Sequence, residues 1–538
     1  MNAKMKTLGV LFLILCLAAQ VFAGGGQQGS VTSAPAAPAQ AAPAPAAPVT
    51  VDLWYGAAVT EAGPPPADWK VLQLIKDRAN VNLLLTALPS NETDQDVKIN
   101  AAAAANSLPD LFMVRRPIWM NIIRLGLVAP VDELYPLMPT RTKVQYDADS
   151  VGFSTINGKS YGLASPGSIA KNEGLLIRKD WLDKLGLKVP ATTDELFEVM
   201  RAFTTRDPDG NGRADTYGYG AFLEISPPWE EGLGRRLDPI FGAFGVAGTF
   251  NLTKAEAGLN LKKPGYFEAL TYVKRMVDEK VIDPNWTSYS KDDFRAAWKQ
   301  GRFGVMREQN AAFAAESNYA PFDKNFPNGE WILVDPPKGP RGQQSVGVYT
   351  QAYRIYAISA KAAQAGKGPA VAKLLEWMSS DEGYYLLGWG ERGVNYTIGP
   401  DGAPTVKGIP DESKGFSKPE MQPLTQLRNM VYYNSEVELL ARYPTYKAPT
   451  SGKTMSALTA LFDMQKRAWT PNIGSDTLPN PNADLKRFYE QGVVEFVLGQ
   501  RQLTQANWTA WLAEFDRIGG AQWEKDCLAA AEASGYIK

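Results

Sequence analysis

The sharpest chemical pattern in the chain runs Asp207-Pro208-Asp209-Gly210-Asn211-Gly212-Arg213-Ala214-Asp215-Thr216. Counted from Asp207, oxygen-bearing side chains fall at positions 1, 3, 5 and 9, with a glycine at 6. That alternation turns Asp207, Asp209, Asn211 and Asp215 inward, Gly212 permits the sharp bend, and Arg213 can add its backbone carbonyl. It is the front half of a calcium loop. At position 12, where such loops carry a bidentate glutamate, this chain has Gly218. Three carboxylates held this close repel one another without a cation, so a structural calcium is expected. The competing reading is a metal-free turn held by side-chain-to-backbone bonds. The loop follows a helical stretch, Asp194 to Phe203, and is expected away from any ligand cleft.

The chain contains no histidine. His-based metal sites, Ser-His-Asp and Cys-His pairs and imidazole acid–base chemistry are thereby excluded. Carboxylates remain as candidates for catalysis: Glu230, Glu231, Asp292, Asp293 and Glu308. A glycosidase needs two of them at a set separation, and no spacing singles out a pair. A secreted, carboxylate-dependent polysaccharide-degrading enzyme is thus the alternative reading, and binding without turnover the main one. Of the two cysteines, Cys16 lies in the leader, and Cys527 reads as a small apolar residue on a helix face.

The chain has 14 Trp, 22 Tyr and 21 Phe, enough to line a groove for a ligand with flat apolar faces. Sugar rings offer such faces, and their hydroxyls take planar polar partners. Candidates are aromatic and charged residues at strand ends and in loops: Trp54 and Tyr55, Trp229, Trp286, Arg307 with Glu308, Tyr349 and Tyr353, Trp389 and Tyr396. For each, core packing is the competing reading. Trp298 and Trp377 lie on helical stripes and are assigned to the core.

These residues need a scaffold. At 538 residues the chain is too long for one core, so two lobes are expected. A formal net charge of −1 gives no basic surface for nucleic acid. Residues 1–23 read as a signal peptide, with Lys4 and Lys6 before an apolar run and Val21-Phe22-Ala23 at the cut. Leu13-Ile14-Leu15-Cys16 offers a lipid-anchor alternative, although Leu15 is bulky for its place and the cut would fall inside the apolar run. Residues 24–49, rich in Ala, Pro and Gly, read as a disordered tether. Beyond it, strand patterns (Val49–Tyr55, Val81–Leu88, Leu108–Val114) alternate with helical ones (Ala67–Asn80, Asp94–Ala105), which argues for an α/β sheet. Later segments are helical: Phe267–Glu279, Ala370–Ser379, Leu485–Val497, Trp508–Ile518 and Gln522–Ile537.

Several segments resemble the extracellular solute-binding proteins of family 1, in particular the alginate-oligosaccharide receptors. They are Gly126-Leu127-Val128-Ala129-Pro130-Val131-Asp132, the hairpin Asn157-Gly158-Lys159-Ser160-Tyr161-Gly162, and Gly174 to Leu187 followed by Val189-Pro190-Ala191-Thr192-Thr193-Asp194-Glu195-Leu196. Further on come Gly388 to Tyr396 and the pairs Leu498-Gly499 and Asn507-Trp508. Arg392 and Asn395 depart from the pattern. The resemblance implies a two-lobe periplasmic-binding-protein fold of class II, with hinge strands and ligand in the inter-lobe cleft. It implies the substrate-binding protein of an ABC importer, a monomer outside the cytoplasm that carries an oligosaccharide to a membrane permease. The alginate receptors carry a similar half-loop that binds calcium. The expected lobes are 50–160 plus about 335–405, and 161–334 plus about 406–538.

Overall fold

Alternation sets the first strand. In Val49–Gly56 the side chains of Val51, Leu53 and Tyr55 are buried, while Asp52 and Trp54 are half-exposed on the opposite face. The helix Lys70–Ala79 returns the chain to Val81–Leu88, parallel to the first strand from Val49↔Val81 to Gly56↔Leu88. The helix Glu92–Ala104, whose first N–H groups bond to Asn91 Oδ1, leads on to Leu111–Val114, parallel on the other side. Parallel neighbours require such crossover helices.

This computed structural model describes residues 47–56, 70–89, 91–145, 148–166, 171–223, 233–349, 352–400, 402–411, 427–428, 430–431, 439 and 443–537. The leader and nearly all of the tether lie outside them. Pro48–Lys538 forms one compact unit.

Two main sheets organise it. The first runs Val81–Leu88, Val49–Gly56, Leu111–Val114, Ala352–Ile358, Leu163–Pro166. Ala352–Ile358, from far along the chain, is inserted antiparallel between two early strands. The second runs Trp331–Val334, Glu173–Arg178, Phe303–Gln309, Tyr217–Gly220, and its last two strands are parallel. Each sheet has its own core: Val51, Ile75, Leu111 and Leu375 beneath the first, Leu175, Phe203, Val305 and Trp508 beneath the second. A further cluster around Trp298 and Phe322 covers the second sheet's other side.

The strand pairings show how the two halves face each other. Pro166 leaves the first sheet opposite Ala352, which re-enters it beside the carboxyl end of Leu111–Val114. Glu173 enters the second sheet opposite Gln309, and Val334 leaves it opposite Leu175, both at the carboxyl edge of its parallel pair. Both connections therefore join carboxyl edge to carboxyl edge. Open α/β sheets bind ligands at that edge.

The division of the chain differs from the expected one in two places. Leu163–Pro166, expected in the second lobe, belongs to the first sheet because it pairs with Ala352–Ile358. Leu427, Met430 and Val431, also expected in the second, lie in the first core.

Local rules set several turns. Asn157 and Gly158 take φ of 50° and 74° in a two-residue hairpin turn. Gly186 ends the helix Lys179–Leu185 at φ 66°. Thr192 and Glu195 form a reciprocal capping box for Thr193–Thr205. Among the described residues no helix is long and apolar enough to cross a membrane.

Candidate functional site

At the carboxyl edge of the first sheet, Trp54 is half-buried with Lys98 Nζ 4.6 Å from its ring centroid. Lys98 is carried there by the helix that follows Val81–Leu88. Arg115, one residue beyond Leu111–Val114, grips both oxygens of Asp96. Gly56 closes the first strand where a Cβ would collide with the Arg354 guanidinium and the Met113 thioether, which places Arg354 at the same edge. Tyr55 points the other way, 1% exposed in the first core, and burial pushes its hydroxyl pKa up. Adjacent in sequence, Trp54 and Tyr55 are separated by the pleat.

At the facing edge, Arg307 and Glu308 are buried within a charge network. Arg307 meets Glu173 at 2.7 Å and Asp238 at 3.7 Å, and donates to the carbonyls of Arg235 (2.9 Å) and Val348 (3.2 Å). Glu308 lies between Arg295 (3.1 Å) and Arg236 (3.3 Å). Burial would raise the Glu173 carboxyl, but Arg307, then Arg236 and Arg235, outweigh it and hold the pKa at about 2. For Asp238 burial wins and the pKa rises. The Val348 carbonyl belongs to the connection between the lobes, so Arg307 fixes the residue next to Tyr349. The Tyr349 ring meets Lys171 Nζ at 4.9 Å and packs edge-on to Trp469 at 6.1 Å. Arg307 and Glu308 thus act from behind the surface.

The remaining candidates separate. Trp286 is 1% exposed in the second core. Trp229 and the Tyr353 side chain lie outside the described residues. Trp389 and Tyr396 are buried, 6.1 Å apart, with Tyr385 stacked 6.4 Å from Tyr396. Trp298 is a core residue, and Trp377 packs half-buried against the first core while donating to Glu382 at 3.1 Å. Cys527 is buried in the second core. Of the carboxylates, Asp293 caps its own helix against Ser290, Glu308 is held between two arginines, and Glu230 and Glu231 lie outside the described residues. Lys98, Arg115, Lys171, Arg354 and Trp469 are absent from the sequence-based set. The available signal was position for Arg115, Lys171 and Arg354, each next to a strand's carboxyl end or to a connection between the sheets; Lys98, in mid-helix, and Trp469, from a distant segment, carried none.

The 207–216 loop sits at the opposite, amino edge of the second sheet, beside Gln300, Gly301 and Arg302. Asp207, at φ 46°, accepts from the N–H groups of Gly210, Asn211 and Gly212 at 3.0–3.1 Å. The Asn211 amide lies between Asp209 (2.9 Å) and Asp215 (3.2 Å), and its oxygen accepts from the Arg213 N–H. The Gly212 N–H, then a hydrogen bond with Asp209, lowers the Asp207 pKa, while desolvation, then that same bond, raises that of Asp209. The Asp209 carboxyl is thus pushed toward protonation first by desolvation and then by its acidic neighbours, and a cation would relieve the latter. Among the described residues no three acidic or thiol side chains already stand at metal-binding separation. The Asn211 amide fills the gap between the carboxylates, so the donor set fits calcium after that amide turns its oxygen inward.

The sequence profile of the bacterial extracellular solute-binding proteins matches residues 70–385. The chain belongs to that family. The chain is similar to the polygalacturonan/rhamnogalacturonan-binding protein YtcQ of Bacillus subtilis, 24% identical over 475 residues, 85% of this chain and 87% of YtcQ. Among solved structures, Streptococcus pneumoniae FusA in complex with kestose superposes with a TM-score of 0.60 at 17% identity, over 90% of this chain and 99% of FusA. An EF-hand mutant of FusA gives 0.58 at 17% identity, with the same coverage. Alginate-binding protein AlgQ2 without calcium ion gives 0.59 at 16% identity, over 91% and 98%. The fold of this solute-binding protein is accordingly the two-lobe periplasmic type.

Proposed function

We propose that this protein is the substrate-binding component of an ABC importer, working as a monomer outside the cytoplasm. It captures an oligosaccharide between its two carboxyl edges, leaves it unaltered and hands it to a permease. The observation that carries this reading is the pair of opposed edges, each with an aromatic ring beside an ammonium: Trp54 with Lys98, and Tyr349 with Lys171. The rings suit the C–H faces of sugars. Among the described residues neither lysine is in an ion pair, and Asp52, which feels the charge of Lys98 from a distance, is the acidic group a ligand would compete with there. That favours an acidic, uronate-containing oligosaccharide, in keeping with the polygalacturonan named for YtcQ. Trp54, Lys98, Tyr349, Lys171 and Trp469 form the proposed contact set, with Arg307 and Glu308 supporting it; Trp389 and Tyr396, buried against each other, are left out. Tyr55 and Trp286 are left out because their rings are enclosed by protein.

A thermal-shift and calorimetric comparison of trigalacturonate, a neutral fructo-oligosaccharide and a short peptide tests the reading. Trigalacturonate should stabilise the protein by mass action and be recovered intact. Recovery of shorter sugars would replace the binding reading by the enzymatic one. Stabilisation by the neutral sugar alone would leave capture standing and remove the acidic ligand.

The 207–216 loop is proposed to hold calcium through Asp207, Asp209, Asn211, Asp215 and the Arg213 carbonyl. The EF-hand named for FusA supports this. A cation there would tie the helix Thr193–Thr205 to the strand Tyr217–Gly220 and so brace the second lobe.

A further inference from the structure

The helix Arg116–Arg124 begins two residues beyond Val114, which pairs with Ile355 of the returning strand. One turn later, Trp119 Nε1 donates to the Tyr161 carbonyl just before Leu163–Pro166 leads out. The helix therefore begins at the carboxyl edge of the first sheet, from which both described connections leave. Its first residue, Arg116, is 2% exposed, and among the described residues it forms no ion pair. On its own lobe its Nε donates to the Phe153 carbonyl at 2.9 Å, and the guanidinium lies against Trp119 and Phe153. Its other end reaches the second lobe, bonding the Thr477 carbonyl through Nη1 and the Ser534 hydroxyl through Nη2, with Tyr536 at 5.4 Å. Ser534 directly follows the helix Ala521–Ala533, whose Trp523, Cys527 and Ala531 belong to the second core.

Burying a guanidinium that no carboxylate contacts, with only the more distant Asp476 to attract it, costs stability, and a neutral side chain of similar volume would fill the space without that cost. What the guanidinium adds is direction: its planar fork serves three anchors at fixed angles, which an ammonium does not. We propose that Arg116 is a positioning residue for ligand capture, clamping the C-terminal segment of the second lobe to the first at the pivot and setting how far the lobes stand apart before ligand arrives. The clamp continues toward the site. Thr477 follows Asp476, which pairs with Arg235 at 3.7 Å, and the Arg235 carbonyl accepts from Arg307. A second tie runs alongside, from the Asn157 N–H to the Ala533 carbonyl at 2.6 Å.

The inference rests on the two-lobe capture reading, so its test has a readout that needs no ligand. Spin labels at Asn100→Cys and Lys324→Cys, one exposed helix position on each lobe, report the inter-lobe distance by double electron–electron resonance in a Cys527→Ala background. In the ligand-free protein Arg116→Met should broaden the distribution and move its mean outward. Arg116→Lys should fall between, and Ser534→Ala should shift it the same way by less. A merely structural role would lower the melting temperature and leave the distance of the folded protein unmoved. Native distributions in Arg116→Met overturn the proposal, and if that variant does not fold, a native distribution in Ser534→Ala does so instead. With trigalacturonate as probe, loss of the pre-set spacing should weaken affinity by about ten-fold, the fraction of competent protein lost. If the native protein binds no sugar, the capture reading fails, while the distance result still decides whether Arg116 is a clamp.

Discussion

Single side chains divide sharply into those that offer a surface and those that hold it in place. Trp54 and Tyr349 keep a ring face half-exposed beside an ammonium, so each should contribute directly to binding. Truncating either to alanine should weaken sugar binding by about 1–2 kcal/mol, about ten-fold, in calorimetric titration. Native affinity in both variants would remove them from the site. Glu173 and Arg307 lie behind that surface, and their role is titratable. The Glu173 pKa is depressed from 4.5 to about 2, so the stability its charge contributes is complete above the unfolded value and is lost as the pH falls toward about 2. Arg307→Met should destabilise the protein at pH 7 by up to about 3–5 kcal/mol, because it leaves the buried Glu173 carboxylate with only the weaker pull of Arg236 at 3.8 Å and of Arg235. That deficit should shrink in urea titrations taken toward pH 3, where the stranded carboxyl is protonated. A deficit independent of pH would show that Glu173 is not the group involved.

At the scale of elements, local chemistry and distant packing contribute differently. The hairpin at Asn157-Gly158, the cap at Thr192 and the glycine stop at Gly186 follow from the conformations these residue types permit, and they form where the sequence places them. The acidic loop is the one element whose composition goes beyond such rules. Calcium should raise the melting temperature of the native protein and leave Asp215→Ala unchanged. Protons compete for Asp209, whose pKa is raised by desolvation and by its bond to Asp207, so the calcium effect should fade as the pH drops through the carboxylate range. An unchanged melting curve after chelation, together with no terbium luminescence, would leave the loop as a plain turn.

The whole molecule is arranged so that connections, not cores, decide its shape. Two sheets with separate cores are joined edge to edge, and a hinged pair of this kind closes around its ligand. Small-angle scattering should show the radius of gyration fall when a saturating oligosaccharide is added, with native secondary structure throughout. A ligand that binds tightly and leaves the radius unchanged would contradict capture by closure.

How much of this is visible along the chain depends on the distance over which each contact acts. Hydrophobic period, turn glycines, caps and the oxygen spacing of the acidic loop are properties of neighbouring residues, and the strand and helix assignments rest on them. The absence of histidine likewise narrows the chemistry before any folding. Which face of a strand meets the core is a matter of pairing, and pairing separates Trp54 from Tyr55. That Arg307 faces Glu173 and the Val348 carbonyl, that Trp469 joins Tyr349, and that Arg116 reaches Ser534 all bring together residues tens to hundreds of positions apart. Their chemistry arises where two sheets meet, because burial and partner choice are set by the packed chain and leave no mark in the local order of residues.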